Sequence, residues 1–276
     1  MDSEVYQWHT SDGTSVFAQC WRPASQPKAA VVLVHGLGEH SGRYAHVAQR
    51  FTASGYALSA MDLRGHGRTG GVRGHFPSFD TVMADINQLL DETQKLFPGA
   101  SLFLYGHSLG GALVLYYGYT QKRSLHGIIA TAPGLAPGTA IPPAKILAGK
   151  VLNNLAPKMT MDNGLDFDSL SHDPEVKNVY LSDPLVHKKI SARLGMELLN
   201  AGIWIRSQHG NFPYPLLLMQ GSDDCIVDSA LNRKFAEGLT GDVTFKLWPG
   251  MYHEIHNEFD KDQVLDFVVN WMDQHE

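Results

Sequence analysis

Apolar positions along this chain keep two different periods, and the alternation between them predicts its elements. Residues Ala29–Val34 are an unbroken apolar run and 56–61 are apolar apart from Ser59, the pattern of strands covered on both faces. Between them Tyr44, Val47, Ala48 and Phe51 recur at i, i+3, i+4 and i+7, one face of a helix that Gly55 stops. The helical spacing returns in Phe79, Val82, Met83, Ile86, Leu89 and Leu90, and again in Val264, Phe267, Val268 and Trp271. Further strands are predicted at 102–105, 127–131, 215–220 and 243–248. Near the start, a strand beginning at Glu4 and a partner at 15–21 flank Asp12-Gly13, which predicts an antiparallel hairpin. Strands alternating with helices predict an α/β fold with a mostly parallel central sheet flanked by helices.

The alternation breaks once. From Ala132 to about Phe212 there is no comparable strand pattern, but there are prolines at 133, 137, 142, 143, 157, 174 and 184 and two helical stretches. One stretch, 144–155, places Leu147, Val151 and Leu155 at i, i+4 and i+8; the other, around 194–205, is rich in Leu, Met, Ile and Trp. We read residues 134–212 as an inserted helical cap on a core formed by 1–133 and 213–276. Its apolar side chains suit two roles, ordinary packing on the core or a lid that walls an apolar pocket over the sheet.

Composition narrows the function. At 276 residues the chain buries a full α/β core, and a net charge of −6 leaves neither a disorder signature nor a basic footprint, so no nucleic-acid partner is expected. No stretch reaches the roughly 18 apolar residues of a membrane span. The first ten residues, MDSEVYQWHT, lack the basic start and apolar run of a signal peptide. The expectation is a cytoplasmic protein, with peripheral contact at membranes or micelles through the cap. Cys20 and Cys225 lie far apart and indicate no disulfide framework. Nothing in the pattern reports an oligomeric state.

The candidate chemistry begins where an apolar strand, Leu102 to Tyr105, runs into Gly106-His107-Ser108-Leu109-Gly110-Gly111 and then an apolar helix. This is a nucleophile elbow: a sharp strand-to-helix turn lifts a serine Oγ above the sheet, and Gly106 and Gly110 leave room where a Cβ would collide. A serine needs a base, and the base needs an orienting carboxylate; the expected chain order is Ser, acid, His. Gly221-Ser222-Asp223-Asp224 follows one late strand and Tyr252-His253-Glu254-Ile255-His256 follows the next. Asp223 and Asp224 compete for the acid, with Asp224 preferred and Asp228 left to cap the helix that follows. His253 is preferred to His256, which falls nearer the terminal helix in a solvated or capping place. His35-Gly36-Leu37-Gly38 follows the strand at 29–34, so the backbone N–H groups of Leu37 and Leu109 are the candidate oxyanion donors. No group of residues has metal-ligand spacing.

Together, His35-Gly36-Leu37-Gly38-Glu39-His40-Ser41-Gly42-Arg43-Tyr44, the elbow, Tyr180-Leu181-Ser182-Asp183-Pro184, Gly221 to Asp224 and Tyr252-His253 resemble the monoacylglycerol lipase family of α/β-hydrolases. The likeness runs from about residue 29 to the C-terminal helix. It implies a catalytic triad of Ser108, Asp224 and His253, no metal or organic cofactor, a lipid ester substrate, and a cap that meets lipid and accepts one acyl chain. By similarity, Glu39, Arg43, His107 and Tyr180 lie near the glycerol hydroxyls. Local readings compete: Glu39 and Arg43 are spaced to pair at i, i+4, His107 suits a buttress of the elbow, and Tyr180 a hydrogen bond between cap and core. Leu37 is bulkier than the residue often found there, Thr69 stands in 62–69 where serine is usual, and that segment is read as structural. Cys225 is read as a small buried apolar residue, or, if exposed, a reactive thiol. The expected activity is hydrolysis of carboxylic esters, most of all monoacylglycerols. Lysophospholipase or broad carboxylesterase activity, acyl transfer, and ligand binding without turnover stay open.

Overall fold

A computed structural model describes residues 3–276; Met1 and Asp2, where the predicted core and the segment searched for a signal peptide begin, lie outside the described residues. The eight strands of the main sheet are β1 (Glu4–His9), β2 (Ser15–Trp21), β3 (Ala29–Val34), β4 (Ala57–Met61), β5 (Ser101–His107), β6 (Gly127–Thr131), β7 (Leu216–Gly221) and β8 (Val243–Trp248). Their spatial order is β1-β2-β4-β3-β5-β6-β7-β8. The entry hairpin is antiparallel, from Glu4 opposite Cys20 to His9 opposite Ser15, and β2 joins β4 antiparallel. Every other pairing is parallel.

Side chains of β3 show why these strands are apolar throughout. Ala30, Val32 and Val34 enter one hydrophobic cluster and Ala29, Val31 and Leu33 the other, because successive residues point to opposite faces. The first face is covered by α2 (Phe79–Leu96), α3 (Leu109–Thr120) and α7 (Ser229–Glu237), the second by α1 (Ala45–Ala53) and α8 (Lys261–His275). In 62–69 Asp62 accepts from the Ser41 and Arg68 N–H groups, while the Thr69 hydroxyl donates to the Asp62 carbonyl and accepts from Phe17 N–H. Threonine therefore fills this bracing position with the oxygen that serine would supply.

Between β6 and β7 the chain leaves the sheet and forms α4 (Pro143–Leu155), α5 (Pro174–Ser182), α6 (Ala192–Arg206) and a small antiparallel ribbon pairing Thr160–Asp162 with Lys189–Ser191. The ribbon was not expected, nor was α5, although Asp173 followed by Pro174 is a legible helix start, an N-cap carboxylate before a proline at the first position. Among the described residues the insertion has no hydrophobic cluster of its own; Leu194, Ala201 and Ile205 of α6 join the cluster beneath the sheet.

The helix α4 corrects one expectation. Leu147, Val151 and Leu155 do share a face, but that face is 64%, 48% and 80% exposed rather than packed on the core. A second stripe, Ile146, Gly149 and Leu152, faces the cavity described below. The helix carries apolar residues on two sides, and only tertiary contact decides which is covered.

Candidate active site

The sharp turn after β5 holds Ser108 at φ 54° and ψ −115°, a conformation that non-glycine residues seldom adopt. It exists because β5 and α3 approach β3 closely. A Cβ on Gly106 would stand 2.2 Å from the Gly110 carbonyl oxygen, and one on Gly110 would stand 2.0 Å from the Val34 carbonyl oxygen. Ser108 N–H donates to Thr131 O at 3.0 Å, which ties the turn to β6.

Three side chains from three loops meet at this turn. His253 Nε2 lies 2.9 Å from Ser108 Oγ, and His253 Nδ1 lies 2.7 Å from Asp224 Oδ2. Asp224 also accepts from the N–H groups of Ile226 and Val227 and from Gln220 Nε2, and Asn232 Nδ2 donates to Gln220 Oε1 behind it. Asp223 instead accepts from Ser222 Oγ at the surface, and Asp228 caps α7 through Leu231 N–H. Burial raises the Asp224 pKa, but the His253 charge and hydrogen bond and the two backbone donors outweigh it, so the carboxyl stays below its ordinary range. Burial likewise lowers His253, yet Asp224 wins and the imidazole pKa is raised above its ordinary value.

Beside Ser108, the N–H groups of Leu37 and Leu109 have no hydrogen-bond acceptor among the described residues, and both residues line the cavity with Ser108. Two free main-chain donors next to a nucleophile are what an oxyanion requires. His35 braces the loop, its Nε2 accepting from Leu63 N–H at 2.9 Å.

Glu39, Arg43, His107 and Tyr180 are brought together too, but with one another and not on the cavity wall. Arg43 meets Glu39 and is gripped through two 2.8 Å bonds by Glu254, a residue the sequence reading passed over. Glu39 also accepts from Gly36 N–H at 2.6 Å and Tyr44 Oη at 2.7 Å. The Arg43 guanidinium lies 4.5 Å over the Tyr180 ring, and the Tyr180 hydroxyl donates to Leu37 O at 3.4 Å. His107 sits 3.1 Å from Thr131 Oγ1, its ring 4.8 Å from that of His253. The polar groups of Glu39, Arg43 and Tyr180 join in a buried network, because a guanidinium out of water needs carboxylate partners. Both glutamates stay ionised: burial raises each pKa, and the Arg43 charge overcomes it.

Two other expectations change. His256 is buried, stacked on Tyr44 at 5.1 Å and against His107 at 4.7 Å, so it is neither solvated nor capping. Burial, then His107, pushes its pKa well down. Cys225 is exposed rather than buried, its Sγ donating to Asp223 O at 3.5 Å.

A cavity of about 310 Å³ opens from Ser108 beneath the insertion. Its walls are largely aliphatic, with Ile146 and Leu152 of α4 facing Met196, Leu198 and Leu199 of α6. One polar side chain on the wall stands out. Asn163 Nδ2, beside Gly38, is buried and makes no hydrogen bond among the described residues. No helix among the described residues is long and apolar enough to cross a membrane.

The model of a family described as "Serine aminopeptidase, S33" matches residues 25–260. The monoacylglycerol lipase of Mycolicibacterium smegmatis is 35% identical over 265 residues, covering 95% of this chain and 94% of that one. An uncharacterized abhydrolase domain-containing protein of Dictyostelium discoideum is 38% identical, and there the chain spans only 29% of the relative's length. The crystal structure of Paleococcus ferrophilus monoacylglycerol lipase superposes with a TM-score of 0.85 at 32% identity, covering 100% of both chains.

Proposed function

The chain belongs to the serine aminopeptidase S33 family of hydrolases, and we propose that within it this protein hydrolyses monoacylglycerols to fatty acid and glycerol through an acyl-enzyme on Ser108. The aliphatic cavity leading from Ser108 carries the reading, since it suits one acyl chain and offers little else to bind. An aminopeptidase substrate would bring a charged amine, which needs a buried carboxylate. The acidic residue on this wall, Asp162, is exposed. The 35% identity to a monoacylglycerol lipase over nearly its whole length supports the same choice.

In the mechanism, His253 Nε2 takes the Ser108 proton as Oγ attacks the ester carbonyl. The oxygen that becomes negative accepts from the N–H groups of Leu37 and Leu109, each donor contributing on the order of 3 kcal/mol in sites of this kind. Collapse of the tetrahedral adduct breaks the bond to glycerol, which leaves with the proton from His253. Water then enters and attacks the acyl carbon as it gives a proton to the same imidazole, and the second adduct collapses to free fatty acid as His253 returns that proton to Ser108 Oγ. Asp224 orients the ring and stabilises the imidazolium in both halves.

Glu39, Arg43 and Glu254 support that cation. Two ionised carboxylates share one guanidinium, and the negative charge left over raises the His253 pKa further. His107 contributes by staying neutral: burial, then the neighbouring His253, pushes it down to about 4, so it adds no positive charge beside the imidazolium. The unpartnered Asn163 amide suits a hydroxyl of the alcohol. The exposed α4 stripe supports transient contact with a lipid surface.

The test compares kcat/KM for a monoacylglycerol, the methyl ester, the triacylglycerol and the lysophosphatidylcholine of one fatty acid under matched dispersion. The monoacylglycerol should be turned over best. Equal or better turnover of triacylglycerol, or preference for the choline lipid, refutes the substrate while leaving the serine mechanism standing.

A further inference from the structure

The catalytic histidine is held from the side of the insertion. Asp224 fixes the rotation of the His253 ring, but the place of that ring also depends on the backbone of residues 252–254. All three N–H groups of that stretch are bonded, two of them to the insertion and one to Glu258 further along the same loop. Glu254 N–H donates to Leu170 O at 2.7 Å and His253 N–H to Ser169 O at 3.4 Å, both acceptors on the insertion just before α5. Tyr252 N–H donates to Glu258 Oε1 at 2.7 Å.

Glu258 completes the link. Its carboxylate is 3% exposed, and the same Oε1 lies 3.0 Å from His172 Nδ1 while Oε2 accepts from His172 N–H at 3.0 Å. The Ser171 hydroxyl stands 3.3 Å from Oε2 and 3.0 Å from Asn257 O, where its one proton serves either. The His172 ring stacks on that of Tyr252 with centroids 3.7 Å apart. Several donors converging on one buried point need an acceptor with about four lone-pair positions, which among side chains only a carboxylate supplies.

We propose that Glu258 is a positioning residue that locks residues 169–172 of the insertion to the histidine loop, so that displacement of this part of the insertion is felt at His253 Nε2 and not only in the cavity. A shift of about 1 Å at a base costs up to roughly 100-fold in rate. The inference rests on His253 being the base, not on the identity of the lipid. It also divides the insertion into a segment fixed to the catalytic loop, 169–172, and a helix, α4, with no buried residue.

The experiment uses Glu258→Ala, Glu258→Gln and His172→Ala in the full chain. Active sites are titrated to completion with a fluorophosphonate, so that misfolded protein is not counted, and kcat and KM per titrated site are measured on an acetyl and a decanoyl ester of one alcohol. Glu258→Ala should lower kcat about 10- to 100-fold with KM within twofold, by the same factor on both esters. Glu258→Gln, which keeps one oxygen for Tyr252 N–H and His172 Nδ1, should fall between it and wild type, and His172→Ala should lose several-fold. Unchanged kcat per titrated site in Glu258→Ala overturns the proposal, as does a loss that grows with acyl length; if that variant does not fold, Glu258→Gln and His172→Ala decide by the same criteria. A His253→Ala control that retains turnover would instead sink the assignment of the base.

Discussion

Helices α4 and α6 face each other across one cavity and are held there by opposite means. The helix α6 buries Ala192, Leu194, Met196, Ala201, Gly202 and Ile205, three of them in the hydrophobic cluster of the core. The helix α4 buries nothing and leaves an apolar stripe in solvent. One wall is therefore anchored in the core, whereas the other rests on its partner helix, Gly149 against Met196, without entering the core. Stability and substrate handling are separable in this protein, and substitutions on the two helices should divide accordingly.

The chemistry beneath the walls sets the largest effect. If neither wall supplies reactive groups, Ser108→Ala should lower ester hydrolysis by about 10⁶-fold at every acyl length and abolish fluorophosphonate labelling, and His253→Ala should come close to it. Labelling that persists at another serine would break the comparison at its root.

The next effect is electrostatic and belongs to the core alone. His253 must be neutral to accept the Ser108 proton, and its pKa is raised above the ordinary value of about 6.5. The acid limb of kcat/KM should therefore have its midpoint above about pH 6.5, with activity rising as pH increases through it. Asp224→Asn removes the charge that raises the pKa and leaves the burial that lowers it. The plateau should fall by about 10⁴-fold, and the acid limb should move to lower pH. A limb that stays in place would show that Asp224 does not govern His253.

How far the sequence foretells each region follows the range of the interactions. The elbow is legible because Gly106, Ser108 and Gly110 answer to constraints within a few residues, and the acid and base slots because each follows a strand of unmistakable pattern. The Glu39–Arg43 pair is legible for the same reason, at i, i+4. Its third member, Glu254, lies 211 residues from Arg43, and Glu258 is bonded to Ser171 and His172 more than 80 residues away. No local pattern marks either glutamate. The sequence points His256 to a solvated or capping place because Tyr44 and His107, which enclose it, come from distant segments. The insertion is the least legible part: Leu147, Val151 and Leu155 and the opposite stripe of α4 are equally apolar, and periodicity cannot say which one meets the cavity.

The smallest effect tests the two helices directly. Ile205→Ala on α6 removes a side chain with no exposed surface and should cost about 2–5 kcal/mol of stability, read by denaturant unfolding. The double change Leu147→Ser and Val151→Ser on α4 acts on exposed positions and should shift stability by no more than about 0.5 kcal/mol. Its consequence should appear elsewhere. If the stripe rests on a lipid surface, each of the two side chains contributes on the order of 1 kcal/mol to the association, so losing both should weaken binding to vesicles roughly 20- to 30-fold. Turnover of a dispersed long-chain monoacylglycerol should fall with that binding, whereas turnover of a dissolved acetyl ester, which needs no surface, should stay within twofold of wild type. Equal losses on both substrates would mean that α4 shapes the reaction and does not dock it, and a stability loss matching that of Ile205→Ala would erase the distinction between the two walls.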